Sequence, residues 1–209
     1  MRQRLLYGVG INDAKHEIER RDTIVSVDGK RSRKVVWKCP FYKVWAHMLE
    51  RCYSSGSRLR RPTYAECSVA AEWHSFSAFK AWMESQEWEG MQLDKDVLEP
   101  GNKIYAPDKC VFVSRAVNMF LTDAKAIRGK WVIGVCWNKH AGKFQANCRN
   151  PFTDKGEHLG YFKSEEEAHE AWRKRKHELA CQLAEQQTDS RVAQALIKRY
   201  ASTGQEVGP

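Results

Sequence analysis

The spacing of apolar residues changes near Gly129, and this change limits the folds open to the chain. Before it, large apolar side chains recur every three or four residues, which is the period of an amphipathic helix. After it, short runs alternate apolar and polar residues, which is the period of a strand with one buried face. The pattern predicts an α+β fold with a helical first part, followed by a three-stranded antiparallel sheet packed on one helix.

Two aromatic stripes predict helices in the first part. One helix begins at Pro40, because proline suits the first helical turn, where its missing N–H group costs nothing. The second runs from about Trp73 to Gln86, and we expect the two stripes to pack on each other. A third helix is predicted from Ser114, as N-cap, to about Ala126.

Three strands and two helices are predicted in the second part. The strands are 131–135, 143–148 and 157–161, separated by segments rich in turn-forming residues. Ser164 and Glu167 form a capping box that begins the next helix, and a last helix covers 189–200.

These elements predict four regions. Residues 1–38 form a basic N-terminal arm, extended except for a short hairpin around 25–29, and residues 39–127 form the first domain. Residues 128–182 form the sheet domain, and 183–209 comprise a helix and a disordered tail that begins at Ser202.

The charge distribution favours a polyanionic partner. The chain carries 35 Lys and Arg against 26 Asp and Glu, a net charge of +9. Residues 1–61 contribute +9, residues 62–127 contribute −4 and residues 128–209 contribute +4. No apolar run has the length of a membrane span, and the N-terminal run is too short for a signal peptide, so we expect a soluble, cytoplasmic protein.

The chain has 7 cysteines, an odd number without the spacing of a zinc knuckle. We expect them to be reduced thiols, buried as small hydrophobic side chains. A zinc site built from Cys52, Cys67 and Cys110 remains an alternative.

The acidic centre contains a candidate metal site. Asp94 ends a predicted strand, a loop and a second strand follow, and a helix then carries Asn118. This order lets both side chains offer oxygen ligands to one cation, and such ligands suit Mg²⁺. Lys95 beside the strand end and Tyr105 in the loop would then contact a phosphate or a water molecule.

At these residues the chain resembles the HNH, or ββα-metal, nucleases, and residues 40–118 resemble HNH proteins encoded by phages. The resemblance implies hydrolysis of DNA with Mg²⁺ or Mn²⁺, held by Asp94 and Asn118. Lys95 stands where the family has a histidine general base, and an unperturbed lysine, with a pKa of ~10.4, is a poor base at neutral pH. A rare-cutting relative has an arginine there and uses a loop tyrosine.

Several catalytic roles are therefore open. Tyr105 or Lys95 orients or deprotonates the attacking water, or Lys95 instead neutralises the charge of the pentavalent phosphorus. Asn102 is expected to support the loop. His47 and His74 lie away from the motif in sequence and are expected at the surface or at its boundary.

The middle strand of the second part presents a polar face. Because residues alternate, Phe144, Ala146 and Cys148 face the helix, and the intervening Lys143, Gln145, Asn147 and Arg149 face outwards. Gln and Asn pair with adenine, whereas Lys and Arg contact guanine or phosphate. A merely solvated sheet face is the alternative.

Residues 131–180 are similar to the Apetala/ethylene-response-factor DNA-binding domains, through Gly134-Val135, the run from Gly142 to Ala146, and Leu159 to Phe162. That resemblance implies that the sheet enters the major groove and that Asn138 and His158 also contact DNA. The run 173–176 is expected to be a solvated helix face or to contact phosphate, and the N-terminal arm to contact the DNA backbone.

Together these features predict a metal-dependent endonuclease that acts on double-stranded DNA in the cytoplasm, that of an infected bacterial cell if a phage encodes it. The alternative is a catalytically inactive HNH-derived protein that binds DNA or regulates the host. The oligomeric state stays open.

Overall fold

A computed structural model describes residues 5–123 and 129–201. Its contacts form two compact units, Met1–Phe112 and Val113–Pro209. The division falls earlier in the chain than Gly129, so the helix that follows Ser114 groups with the second unit. The mixture of helices with a three-stranded antiparallel sheet confirms the α+β class. The predicted tail from Ser202 lies outside the described residues.

The N-terminal segment is more ordered than the predicted arm. Strands β1 (Glu19–Val25) and β2 (Arg31–Lys38) form an antiparallel hairpin, longer than the one predicted around residues 25–29. Before the hairpin, Leu6 and Val9 pack against the core of the first unit. A Cβ at Gly10 would strike the buried Leu49 and Trp45, so glycine permits this close approach. The expectation of an arm extended outside its hairpin is therefore wrong for this stretch.

Helix α1 (Pro40–Tyr53) confirms the first predicted helix, with proline at its start. Helix α2 (Ser55–Arg60), which the sequence patterns did not predict, follows directly. The hydroxyl of Ser54 accepts a hydrogen bond from the backbone N–H of Ser57, which caps the short helix.

The second predicted helix is divided. A 3-10 turn (Ala71–His74) contains Trp73, and helix α3 (Phe76–Glu84) begins only after Ser75. Ser75 has extended backbone geometry, and its hydroxyl accepts a hydrogen bond from the N–H of Ala78, so it ends the turn and caps the helix. The spacing of apolar residues did not predict this break in the helix.

The aromatic stripes pack on each other as predicted. Trp45 and Phe76 lie 5.4 Å apart between ring centroids, and the indole N–H of Trp45 donates to the carbonyl oxygen of Trp73 at 2.7 Å. Burying the indole with a hydrogen-bond partner avoids the cost of an unsatisfied donor. The buried core of the first unit also contains Met48, Leu49, Cys52, Phe79, Met83, Tyr105 and Cys110.

Four short strands complete the first unit. Strands β3 (Ser68–Val69) and β5 (Ile104–Tyr105) pair in parallel, and β4 (Gln92–Asp94) pairs with β6 (Val111–Val113). The loop that follows Asp94 connects β4 to β5, so one strand of each pair flanks it.

The second unit begins with helix α4 (Arg115–Leu121), shorter than predicted, and the expected continuation to Ala126 enters residues that are not described. Strands β7 (Val135–Asn138), β8 (Lys143–Arg149) and β9 (Gly156–Phe162) form an antiparallel sheet in that order. Helices α5 (Glu165–Ala184) and α6 (Ser190–Tyr200) follow.

The first strand of this sheet starts later than the predicted range of 131–135. Gly134 has a φ of +84°, and the N–H of Val135 donates back to Val132 in a turn. Trp131 instead packs edge-on against Phe144, with 5.0 Å between ring centroids. A positive φ interrupts a strand, so the β geometry begins only at Val135.

Helix α5 corrects the expectation for the basic run 173–176. Lys176 is buried rather than solvated, and its Nζ atom donates to the carbonyl oxygen of Phe120. Arg175 forms ion pairs with Glu157 and Glu178. None of the helices in the described stretches 5–123 and 129–201 combines the length and apolarity needed to cross a membrane.

Candidate functional sites

Asp94 lies at the end of β4 and fixes the turn that follows it. Its Oδ1 atom accepts hydrogen bonds from the backbone N–H groups of Asp96 and Val97, at 2.8 and 3.0 Å. Burial, together with the neighbouring carboxyl group of Asp96, raises the pKa of Asp94 to about 6. Two carboxyl groups held this close repel each other when both are ionised, and a cation between them would relieve that repulsion.

Lys95 is buried, and its ammonium group is engaged within the same loop. Nζ donates to the carbonyl oxygen of Asn102 at 2.7 Å and forms an ion pair with Asp96 at 3.0 Å. Burial lowers the pKa of Lys95, but the hydrogen bond to the Asp96 carboxylate and its negative charge outweigh this effect, so the pKa is raised. A protonated, engaged ammonium group does not serve as a general base, so the geometry favours its electrostatic role over proton abstraction.

Asn102 holds the other side of this loop through hydrogen bonds of its side chain. Its Nδ2 atom donates to the carbonyl oxygens of Lys95 and Ile104, at 2.6 and 2.8 Å, and its Oδ1 atom accepts from the N–H of Ile104 at 3.1 Å. The side chain is buried, so these bonds satisfy groups that would otherwise be desolvated without partners.

Tyr105 faces the core of the first unit and is 1% exposed. Its hydroxyl accepts a hydrogen bond from Arg51 at 3.4 Å. Burial raises the pKa of Tyr105 well above its usual range, although the charge of Arg51 opposes this shift. A buried phenol that stays protonated neither contacts bulk water nor accepts a proton at neutral pH, so this geometry does not favour the role of base.

Asn118 lies on α4, in the second unit, so its role as a ligand beside Asp94 stays a prediction. Within residues 5–123 and 129–201, no group of three or more His, Cys, Asp or Glu side chains is arranged to hold a metal. Burial raises the pKa values of Cys52 and Cys110 to about 12, so both thiols keep their protons in the metal-free protein.

All 7 cysteines are free thiols, and five are buried. Cys136 differs from the expectation of burial because it lies on the outer face of β7, and Cys181 is partly exposed. Alternation along β7 places Cys136 on the face opposite the buried Val135.

The sheet presents the polar face that the alternation of β8 predicts. Ala146 and Cys148 are buried towards α5, whereas Lys143 and Arg149 are exposed. Asn138 and Lys143 pair across β7 and β8, and His158 pairs with Asn147 across β8 and β9. Directly paired residues share a face, so the predicted side chains lie on one side of the sheet.

A β-bulge in β9 adds a residue that alternation did not reveal. The register shifts between Ala146 and Asn147, so that Ala146 pairs with Gly160 and Asn147 pairs with His158. The extra residue places Tyr161 on the same face as His158, and their rings lie 4.8 Å apart between centroids. Gly160, which follows the extra residue, has a φ of +132°, a conformation that favours glycine.

Amide side chains on this face are oriented by hydrogen bonds to one another. Asn138 Nδ2 donates to Gln145 Oε1, and Gln145 Nε2 donates to Asn147 Oδ1, both at 3.0 Å. Asn138 also contacts the hydroxyl of Tyr161, at 3.4 Å. This row crosses all three strands and fixes the orientation of each amide, which reduces the entropy lost when a ligand binds.

Arg149 is held at one end of the face. Its Nε and Nη2 atoms donate to Asp154 Oδ1, at 2.9 and 2.6 Å. The pair is exposed, so the bond is weak and an anionic ligand would compete for the guanidinium group.

No protein-family model, curated protein or solved structure matches this chain. The chemistry of the two sites therefore carries the functional conclusions.

Proposed function

We propose that this protein binds double-stranded DNA with the outer face of its three-stranded sheet. The supporting observation is a group of polar side chains on one face of β7, β8 and β9, in which the amide groups are oriented by hydrogen bonds to one another. It consists of Asn138, Lys143, Gln145, Asn147, His158 and Tyr161.

These side chains match the chemistry of the major groove. Asparagine and glutamine donate and accept together, as the edge of adenine requires, and lysine contacts guanine or phosphate. None of the six is acidic, so the face does not repel the DNA backbone. Adjacent strands lie about 4.8 Å apart, so three strands span about 10 Å, comparable with a groove about 12 Å wide.

Selection of bound duplexes from a randomised library tests this proposal. Wild-type protein should enrich one sequence, and Gln145→Ala should relax the preference by roughly 1–3 kcal/mol at one base pair. Gln182→Ala, an exposed glutamine on α5, is the matched control and should leave the preference unchanged. Failure of the wild-type protein to enrich any sequence would contradict base recognition by the sheet.

A second candidate function is metal-dependent hydrolysis of the DNA backbone at the loop after β4. Support comes from the order β4, β6, α4 and from the two adjacent carboxyl groups of Asp94 and Asp96. Their oxygen donors fit Mg²⁺ or Mn²⁺, which would polarise the phosphate and activate a water molecule. Lys95 would keep the loop closed and supply positive charge, since its ammonium group is already engaged.

Supercoiled plasmid incubated with Mg²⁺ or Mn²⁺ tests hydrolysis. Nicking should appear with the wild-type protein and disappear in Asp94→Asn, which preserves the side-chain size and the acceptor oxygen of the turn. Asp108→Asn removes an exposed acid of the same unit and should nick like the wild type. Absence of nicking at high enzyme excess would leave the alternative, a protein that binds DNA without cleaving it.

A further inference from the structure

We propose that a cavity formed by α1 and α2 in the first unit is a binding site for a phosphate group. The cavity has a volume of about 250 Å³. Its lining consists of His47, Glu50, Arg51, Ser57, Arg60 and Arg61. The inference deepens the proposed DNA binding by assigning a separate backbone contact to the first unit.

The local sequence explains why these side chains meet. His47, Glu50 and Arg51 lie three and four residues apart on α1, so they share one face of the helix. The cap at Ser54 then starts α2, whose end brings Arg60 and Arg61 to the same cavity. An irregular loop in place of α2 would not hold Arg60 and Arg61 in these positions.

Positive charge exceeds negative charge in the cavity. Three guanidinium groups face one carboxylate, that of Glu50. The ion pair between Glu50 and Arg60 spans 4.0 Å and is largely exposed, so it compensates little of this charge. Guanidinium groups present planar pairs of N–H donors that match phosphate oxygens.

Arg51 lies at the inner side of the cavity and contacts neutral groups. Its Nη1 atom donates to the hydroxyl of Tyr105, which stays protonated, and its guanidinium carbon lies 5.9 Å from the ring centroid of Tyr64. Among the described residues, no ion pair joins Arg51 to a carboxylate. A partly buried guanidinium without an anionic partner is electrostatically favourable for an incoming anion.

Two further features match a phosphate site. Ser57 is 4% exposed and lines the cavity, which adds a hydroxyl group among the guanidinium groups. The neighbouring Arg58 does not line the cavity, and its Nε atom instead donates to the carbonyl oxygen of Cys52 at 2.6 Å. The cavity is thus lined by particular arginines and not by every basic residue of the segment.

His47 provides a spectroscopic readout at the rim. Partial burial lowers the pKa of His47, and the positive charge of Arg51 lowers it further. Lys38 and Lys43 act in the same direction, whereas the charge of Glu50 opposes the shift. A bound phosphate would partly neutralise Arg51 and attract a proton, so it should raise the pKa of His47. If the cavity binds no anion, the pKa of His47 should stay unchanged when phosphate is added.

Titration of the full chain with inorganic phosphate, followed by nuclear magnetic resonance of the His47 ring, tests the site. The wild type should show saturable shifts and a raised pKa for His47. Arg60→Gln combined with Arg61→Gln should weaken binding about tenfold, because charge-assisted hydrogen bonds are lost. The control Lys15→Gln with Lys103→Gln removes the same charge from exposed positions outside the cavity and should bind phosphate like the wild type.

Binding of a short duplex without a preferred sequence distinguishes a backbone phosphate from a free one. For a backbone phosphate, the arginine variant should reduce the slope of log K against log salt by about 0.9, more than the control does. Phosphate binding with an unchanged slope would support the site with a free phosphate compound as its ligand. Absence of any phosphate effect on the wild-type His47 would overturn the proposal, whatever the sheet does with DNA.

Discussion

The ammonium group of Lys176 on α5 is buried beneath the last residues of α4. Its Nζ atom lies 2.7 Å from the carbonyl oxygen of Phe120 and 3.4 Å from the centroid of the same residue's ring. Tyr200 of α6 packs edge-on against Phe120, so the three helices meet at this cation. Burial lowers the pKa of Lys176 to about 8, because the charged form loses its hydration.

Titration of Lys176 should therefore stabilise the second unit as the pH rises from about 8 to 10, against the opposite contribution of the buried Cys148 thiol, whose pKa is raised by burial. In this window Lys176 has lost its proton in the folded state, whereas an unfolded lysine, with a pKa of ~10.4, retains it. Since the unfolded chain binds more protons, the free energy of unfolding increases, by up to about 3 kcal/mol. Urea unfolding at several pH values measures this slope.

Lys176→Met should remove this gain in stability, because it removes the titrating group and keeps the length of the side chain. Lys174→Met, on the exposed face of the same helix, is the matched control and should retain the wild-type slope. A slope that persists in Lys176→Met would assign the effect to another group.

Gly134→Ala should destabilise the second unit by about 3 kcal/mol, combining strain at positive φ with overpacking. The added Cβ would meet the indole ring of Trp172, and Gly134 has a φ of +84°. Thermal unfolding followed by far-UV circular dichroism measures the loss. Gly142→Ala is the control, because its φ is also positive, at +57°, but no atom lies within 4 Å of the added Cβ. Equal losses in the two variants would exclude the clash with Trp172 as the cause.

The sequence predicted the elements whose pattern is local. The spacing of Trp45 and its neighbours predicted α1, and alternation along β8 predicted which side chains face α5. The break at Ser75 and the late start of β7 depend on single residues that leave the periodic pattern. The bulge that turns Tyr161 outwards depends on a register between strands, which the sequence of one strand does not encode.

For the candidate sites, too, the sequence predicted only what local patterns determine. Asp94 was predicted at the end of a strand and Asn102 as a support of the loop that follows, but burial of Lys95 and Tyr105 depends on tertiary packing around the loop. The cavity at Arg51 was not predicted, because it depends on the short helix α2, which brings Arg60 and Arg61 back to α1.

Asn102→Ala should destabilise the first unit by about 3 kcal/mol, since its three hydrogen bonds would be lost and buried backbone groups left unsatisfied. Hydrogen exchange should increase in the loop after β4, where the amide of Ile104 loses its acceptor. Lys103→Ala changes an exposed neighbour and is the control. Unchanged exchange at Ile104 would show that the backbone alone holds this loop.

Cys136 should react with a maleimide faster than the other thiols of the native protein, because it is the most exposed of the seven cysteines, all of which are described. The thiol lies on the polar face, where Asn147 Nδ2 contacts its Sγ atom at 3.7 Å. Duplex DNA bound to the sheet should therefore slow the labelling, as measured by mass spectrometry of the intact chain. Cys136→Ala should remove the rapid phase, and the partly exposed Cys181 gives the internal reference. Labelling of Cys136 that continues at the same rate under saturating DNA would place the bound duplex elsewhere on the protein.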